Sequence, residues 1–294
     1  MNTVLARVDD LRTGRTPFVL ATVVRAERPT SAKPGDRALV LPDGSMEGFV
    51  GGTCAESTVR LQGLRLLATG ESTLLRITPT AESETVGEGV VTVGNPCLSG
   101  GSLDIFLEAM LPPTLVHVHG DAPVARALMD IGRAVGHDVR RPAVGADLPA
   151  DLGALIVASH GRDEEPLLVA ALRANVPYVG LVASRKRGRA VLASLDVTDE
   201  ERAQVHTPAG LDIGARTPAE VALSVYAEMV STRDPAPAST EPVVLVAEAV
   251  DPVCGMTVAV SESALSIMDN GMSVYFCGAG CRQAYADDPE RYRR

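Results

Sequence analysis

Residues 154–184, ALIVASHGRDEEPLLVAALRANVPYVGLVAS, decide the fold. The opening run ALIVAS is apolar without alternation, as a strand buried on both faces should be. EEPLLVAALRANV carries its apolar residues at helical spacing, and YVGLVAS is a further strand that feeds the basic helix start RKRGRAVLASL. Strand, helix and strand at this spacing call for a parallel βαβ unit. The alternation extends backward through TLVHVHG (114–120, strand), DAPVARALMDIGRAVGH (121–137, helix) and HDVRRPAV (137–144, strand). Forward, it closes on TPAEVALSVYAEMVS (217–231), whose Thr-Pro-Ala-Glu start combines a helix cap with proline at the first helical position. Residues 112–232 are therefore expected to form a Rossmann-like, doubly wound parallel sheet.

The flanking sections differ in pattern. Residues 1–111 open with a short helix pattern and then mix strand-like runs (PFVLATVVRAE, STLLRITP, GSLDIFLEAM) with Gly-rich turns. PDGS marks a turn between two apolar runs, since Pro presets φ and Gly permits positive φ. AESTVRLQGLRLLATG reads as a helix ending on a glycine cap. An α+β domain is expected here, making the whole chain α/β. Residues 233–247 begin as a Pro/Ala/Ser/Thr linker. Residues 248–294 form a module too small to rely on a core alone, so it calls for a metal or a docking surface.

Charge and cysteine usage narrow the function. A net charge of −10, from 27 basic against 37 acidic residues, argues against a broad face for nucleic acid or an anionic membrane. The N-terminus lacks the apolar run of a signal peptide, and no run approaches the ~18 apolar residues of a membrane span. A cytoplasmic location is expected. The five cysteines (54, 97, 254, 277 and 281) are odd in number and three crowd the C-terminus, which points to metal ligands or reactive thiols in a reducing compartment.

Four constellations carry chemistry. In DPVCGMTV and VYFCGAGCRQAY, Cys277 and Cys281 are four apart, so one helical turn can aim both at one point. Cys254 would add a third thiolate, a soft set suited to Cu(I) or Zn; the alternative is a Cys277–Cys281 disulfide or three unrelated buried thiols. In the middle section, Gly120 alone survives of a dinucleotide fingerprint. Arg140 and Arg141 stand where an acidic ribose ligand belongs, so NAD(P) is disfavoured against a phosphorylated ligand; the alternative is a Rossmann scaffold that binds no nucleotide. His160 and Ser184-Arg185-Lys186-Arg187 follow strand ends, where open α/β sheets bind ligands. In the first section, Gly51-Gly52-Thr53-Cys54-Ala55-Glu56 and the segment 95–101 with Cys97 each set a thiol beside a flexible turn whose N–H groups can reach an anion.

Two resemblances sharpen this. The run from DPVCGM through YFCGAGC to YADDPERY resembles a YHS domain, a small module found with heavy-metal handling proteins, with Tyr275-Phe276-Cys277 in place of its Tyr-His-Ser. Residues 1–232 resemble the XdhC/CoxI family in the GG-T-C-A-E turn, the C-x-x-GG segment, SHGRDEEPLLVAALRANVPYVGLVASRKR and HTPAGLDIGARTPAEVALSVYAEMV, which contains Asp212. That resemblance implies an accessory chaperone rather than an enzyme. Such a protein binds the molybdenum cofactor (molybdopterin or its cytosine dinucleotide), works with a cysteine desulfurase or other maturation factors, and serves the large subunit of an apo-molybdoenzyme. It also implies a homodimer, and it assigns Gly51, Gly52, Cys54, Glu56, Cys97, Gly120, His160, Ser184, Arg185, Lys186 and Asp212 to cofactor binding. CO dehydrogenases of the client class carry molybdenum joined through sulfur to copper, so Cys254, Cys277 and Cys281 would hold Cu(I) for delivery. An NAD(P)H-dependent reductase and a metal-sensing scaffold are the competing expectations.

Overall fold

The computed structural model describes residues 3–79, 84–94, 101–142, 147–232 and 246–293. They form two compact units, Met1–Pro112 with Ser239–Arg294, and Pro113–Ala238.

The first unit begins with α1 (Thr3–Thr13), β1 (Phe18–Glu27), β2 (Arg37–Val40), β3 (Met46–Gly48) and α2 (Thr53–Thr69), followed by β4 (Thr73–Thr78), β5 (Thr85–Gly87), β6 (Val90–Gly94) and β7 (Ser102–Met110). Its sheet runs β3-β2-β1-β7-β4-β6-β5. Among the described residues only the β4–β6 pair of this sheet is parallel. Alternate side chains divide the faces: Val19, Ala21, Val23, Leu75, Ile77, Ile105 and Leu107 share a core with Ala55 and Val59 of α2. Phe18 and Leu39 meet Val8 and Leu11 of α1 on the other side. The PDGS turn forms as expected, with the Leu41 N–H donating to Ser45 O at 3.0 Å. Helix α2 ends on Gly70 at φ +74°.

The second unit contains β8 (Leu115–His119), α3 (Pro123–Ala134), β9 (Asp138–Arg140), β10 (Leu152–Val157), α4 (Glu164–Arg173), β11 (Tyr178–Leu181), α5 (Arg185–Ser194), α6 (Asp199–Ala203), β12 (Val205–His206) and α7 (Pro218–Ser231). The strands lie in the order β9-β8-β10-β11-β12, every pairing parallel. Val116, Val118, Ala154 and Ile156 face α3 and α7, while Leu115, Leu155, Val157, Val179 and Leu181 face α4 and α5. The sheet is doubly wound, because strands apolar on both sides must be covered on both sides.

The tail comprises β13 (Glu248–Val250), β14 (Thr257–Ala259), β15 (Leu265–Asp269), β16 (Met272–Phe276), α8 (Ala279–Asp287) and α9 (Pro289–Tyr292). It makes two antiparallel ladders, β13–β14 and β15–β16. It does not stand apart from the first section: β14 packs on α2. The Arg65 guanidinium on α2 donates to Glu248 at 2.6 Å and to Glu84 at 2.8 Å, and Ser263 Oγ lies 3.4 Å from the Asp43 carbonyl. Among the described residues no helix is long and apolar enough to cross a membrane.

Helices α3 and α7 of the second unit pack closely at Gly132 of α3. A Cβ there would stand 2.1 Å from Oη of Tyr226 on α7 and 2.6 Å from Cγ2 of Val139, and that hydroxyl donates to Leu128 O at 2.8 Å. Gly132→Ala should therefore cost about 1–3 kcal/mol through overpacking. Thermal unfolding of the purified variant checks this, and an unchanged midpoint would contradict the packing.

Candidate metal centre and anion cavity

The tail brings three sulfurs to one point. β16 delivers Cys277, Gly278 caps α8, and Cys281 sits in the first turn of that helix. Cys254 approaches from the loop between β13 and β14. Sγ of Cys277 lies 3.6 Å from Sγ of both Cys254 and Cys281. Two sulfurs each about 2.3 Å from a tetrahedral ion would sit about 3.8 Å apart, whereas a disulfide needs about 2.05 Å. The spacing is that of ligands, and none of Cys54, Cys254, Cys277 and Cys281 is in a disulfide.

A fourth group was missed by the sequence. Asp251 is fully buried, and one of its oxygens joins the three sulfurs in a set of atoms all within 4.8 Å of one another. Oδ1 accepts from the N–H groups of Val253 at 2.8 Å and Cys254 at 3.4 Å, and Oδ2 from that of Cys277 at 2.8 Å. Burial opposes its charge, but those N–H groups hold its pKa below the ordinary carboxylate value. Its main task is to gather the two loops that carry sulfur, and DPVC could have shown it as an Asx-type turn.

The thiols divide their protons unequally. Hydrogen bonding from Cys277 brings Cys254 down to about 7. Burial pushes Cys281 up to about 12. Cys277 is pushed up by its bond to Cys254 and by burial. Cys277 is the sulfur that lies 3.6 Å from both of the others, and a soft cation could take the place of a shared proton there.

In the second unit, a cavity of about 560 Å³ opens where β11 ends, lined by His160, Ser184, Arg185, Arg187, Leu211 and Asp212 among others. That volume lies in the ordinary range for small-molecule sites. Ser184 caps α5, accepting from the Arg187 N–H at 3.3 Å, so the positive end of the helix faces this region. Arg185 lies 3.6 Å from Asp212, with both side chains largely in solvent. The loop after β10 is pinned by Glu164, 1% exposed. Its carboxylate pairs with Arg187, accepts from the Gly161 N–H at 2.7 Å and lies 2.9 Å from the Ser159 hydroxyl. Burial opposes the charge, yet Arg187, Gly161 and Ser159 together hold the pKa of Glu164 below its ordinary value. The pinned loop places His160 at φ +58° and Asp163 at φ +51°, left-handed conformations that non-glycine residues adopt at a cost.

Residues 11–78 match the XdhC and CoxI family, and residues 116–229 match the XdhC Rossmann domain. The chain is 28% identical over 250 residues to the uncharacterized protein YqeB of Escherichia coli K12, covering 75% of this chain and 44% of that protein. It thus spans under half the length of that relative. It is 24% identical over 264 residues to the molybdenum cofactor insertion chaperone PaoD of the same strain, covering 73% of this chain and 83% of that one. A probable xanthine dehydrogenase subunit of Bacillus subtilis 168 is 30% identical over 80 residues, 27% of this chain and 23% of that protein.

The XdhC-type sections place the expected residues in two separate groups. His160, Ser184, Arg185 and Asp212 line one cavity, and Lys186 is exposed on the first turn of α5. Gly120 is not among the residues lining it: at φ +127°, a Cβ there would stand 2.3 Å from the Ala158 carbonyl oxygen. Close approach of β8 to the end of β10 therefore accounts for this glycine without a pyrophosphate. Gly51, Gly52, Cys54 and Glu56 lie at the start of α2 in the first unit, with Cys54 inside the helix rather than on the turn before it. Cys97 lies outside the described residues. Cys54 packs against the cluster of Met256, Val258 and Cys277, a meeting that their distance in sequence concealed.

The buried carboxylates yield two predictions. Asp251→Asn should cost about 1–3 kcal/mol, because one acceptor oxygen for the loop N–H groups is lost, and should raise the alkylation rate of the buried Cys277. Unchanged melting and labelling would remove Asp251 from its gathering role. Glu164, whose folded pKa is depressed, stabilises above its unfolded value near 4.5 and ceases to as pH falls through the folded value. Glu164→Gln should lower stability at pH 7 by about 3 kcal/mol, and its deficit against wild type should shrink below about pH 4.5. Urea melts across that range test it, and a pH-independent deficit would contradict the ion pair.

Proposed function

We propose that this protein is a maturation chaperone for a molybdenum hydroxylase of the xanthine dehydrogenase or CO dehydrogenase type, binding the molybdenum cofactor and delivering a soft metal, Cu(I), through a YHS-like tail. The observation that carries the reading is a set of three thiols at ligand spacing in a chain whose other sections are XdhC-type. The name of PaoD, a molybdenum cofactor insertion chaperone, supports the molybdenum half.

The donor set fits a soft cargo. Thiolates favour Cu(I) and Zn over hard ions, and the one carboxylate present already accepts from three backbone N–H groups. Cys254, Cys277 and Cys281 would hold the ion. The cavity beside α5 fits the anionic part of a phosphorylated cofactor: Ser184 and the N–H groups of the helix start would receive phosphate oxygens, Arg185 would supply charge, and His160 would border the bound group. The cofactor, once bound, supplies the molybdenum that the client requires. Because the cavity lies at α5 and Gly120 is explained by packing, the phosphate reading is better supported than an NAD(P)H reductase.

The partner is expected to be an apo-molybdoenzyme. Point variants of the full chain are the proper probes, since removing the tail would bare the α2 face that β14 covers.

Elemental analysis of anaerobically purified protein tests both halves. Wild type should carry copper or zinc together with molybdenum. Cys277→Ser should lose the soft metal and keep molybdenum, while Arg185→Glu should do the reverse. Equal soft-metal content in wild type and Cys277→Ser would sink the metal centre, and equal molybdenum in wild type and Arg185→Glu would sink the cavity assignment.

A further inference from the structure

Cys54 is the third residue after the Gly51 turn and belongs to the first turn of α2, yet it packs into the same small cluster as Met256, Val258 and Cys277, with Cys254 and Cys281 at its border. The backbones meet at the same place. A Cβ on Gly278 would stand 2.5 Å from Cγ2 of Thr53, so the residue after Cys277 can lie against the one before Cys54 only as glycine. The contact is held along α2 by β14 and by the Arg65–Glu248 pair, and at the turn between β2 and β3 by the Asp43–Ser263 contact. The ligand atoms within 4.8 Å of one another are those of Asp251, Cys254, Cys277 and Cys281, so Cys54 stands beside that set rather than within it.

A fourth cysteine packed against the cluster that contains Cys277 is a candidate for exchange with the three-sulfur set. Thiolate ligands of soft ions are replaced by incoming thiolates, which keeps the ion on sulfur throughout. We propose that Cys54 is the handover ligand of this centre, taking the place of Cys281 on a soft ion held by Cys254 and Cys277 and so linking the ion to the start of α2. In the exchange a metal–sulfur bond to Cys54 forms and the bond to Cys281 breaks. The Cys54 thiol proton passes to the departing Cys281 sulfur, and no electron changes hands. Cys281 is the departing sulfur because the N–H groups of both Cys254 and Cys277 are tied to Asp251, whereas Cys281 is half-buried in the first turn of α8, beside the exposed Ala279 and Gly280. The proposal rests on the metal-centre reading above, and it joins that centre to the Gly51–Glu56 segment, which sequence alone treated as a separate site.

Cu(I) retention by the full chain under anaerobic competition with bathocuproine disulfonate tests it, using wild type, Cys54→Ser, Cys281→Ser and the double variant. If Cys54 can take the ion, Cys281→Ser keeps a site that depends on Cys54. Removing Cys54 then weakens retention at least about tenfold more in the Cys281→Ser background than in wild type. Equal effects of Cys54→Ser in the two backgrounds would overturn the handover. Cys54→Ala repeats the comparison without a hydroxyl, and melting curves of all variants separate lost ligation from lost folding. Failure of the underlying reading shows elsewhere: wild type that retains no Cu(I), or Cys277→Ser that retains as much, overturns the centre and the handover with it.

Discussion

A carboxylate removed from water must find donors, and Asp251 finds them in the backbone. With no exposed surface, it would cost several kcal/mol if left unpaired. Three N–H groups from two chain segments converge on it instead. Two of those groups belong to Cys254 and Cys277, so satisfying the carboxylate also sets the two sulfurs 3.6 Å apart. The Asp251 N–H in turn donates to Met256 O at 2.9 Å, and its carbonyl accepts from Gly255 at 2.8 Å, which closes the Cys-Gly-Met loop around the same residue. The spacing of the two sulfurs is thus set by backbone hydrogen bonding, and the small tail gains rigidity that its core alone would not supply.

The second unit solves the same problem differently. Glu164 is as deeply buried, but its charge is met by the Arg187 guanidinium together with one N–H and one hydroxyl nearby. Where Asp251 fixes a metal-sized cluster, Glu164 fixes a loop that carries His160 to the mouth of a cavity. In both units the sheet is a floor, and the chemistry belongs to segments leaving strand ends, where the backbone has been released from ladder hydrogen bonds.

Much of the parallel sheet could be seen in one dimension. The runs that became β10 and β11 are apolar on both faces, and the helices between the strands show a 3.6-residue period, so local pattern and final environment agree. β5 and β6 did not stand out: β5 is exposed throughout, and β6 is half-buried and pairs in parallel with β4, leaving neither an alternation nor a hairpin signal. His160, Ser184 and Arg185 were legible because strand ends are legible. Glu164 and Arg187 took on their roles only once folding brought them together across 23 residues of chain.

The sequence by itself determined the classes of structure, the spacing of Cys277 and Cys281, and the softness of the donor set, because periodicity and residue chemistry are local properties. Only the tertiary structure decided that the tail lies on α2, that Asp251 organises the sulfurs, and that Cys54 stands beside them. These depend on which faces find each other, and Cys54 and Cys254 lie at opposite ends of the chain. No pattern within either segment names its partner; the burial of β14 against α2 and the ion pair at Arg65 do.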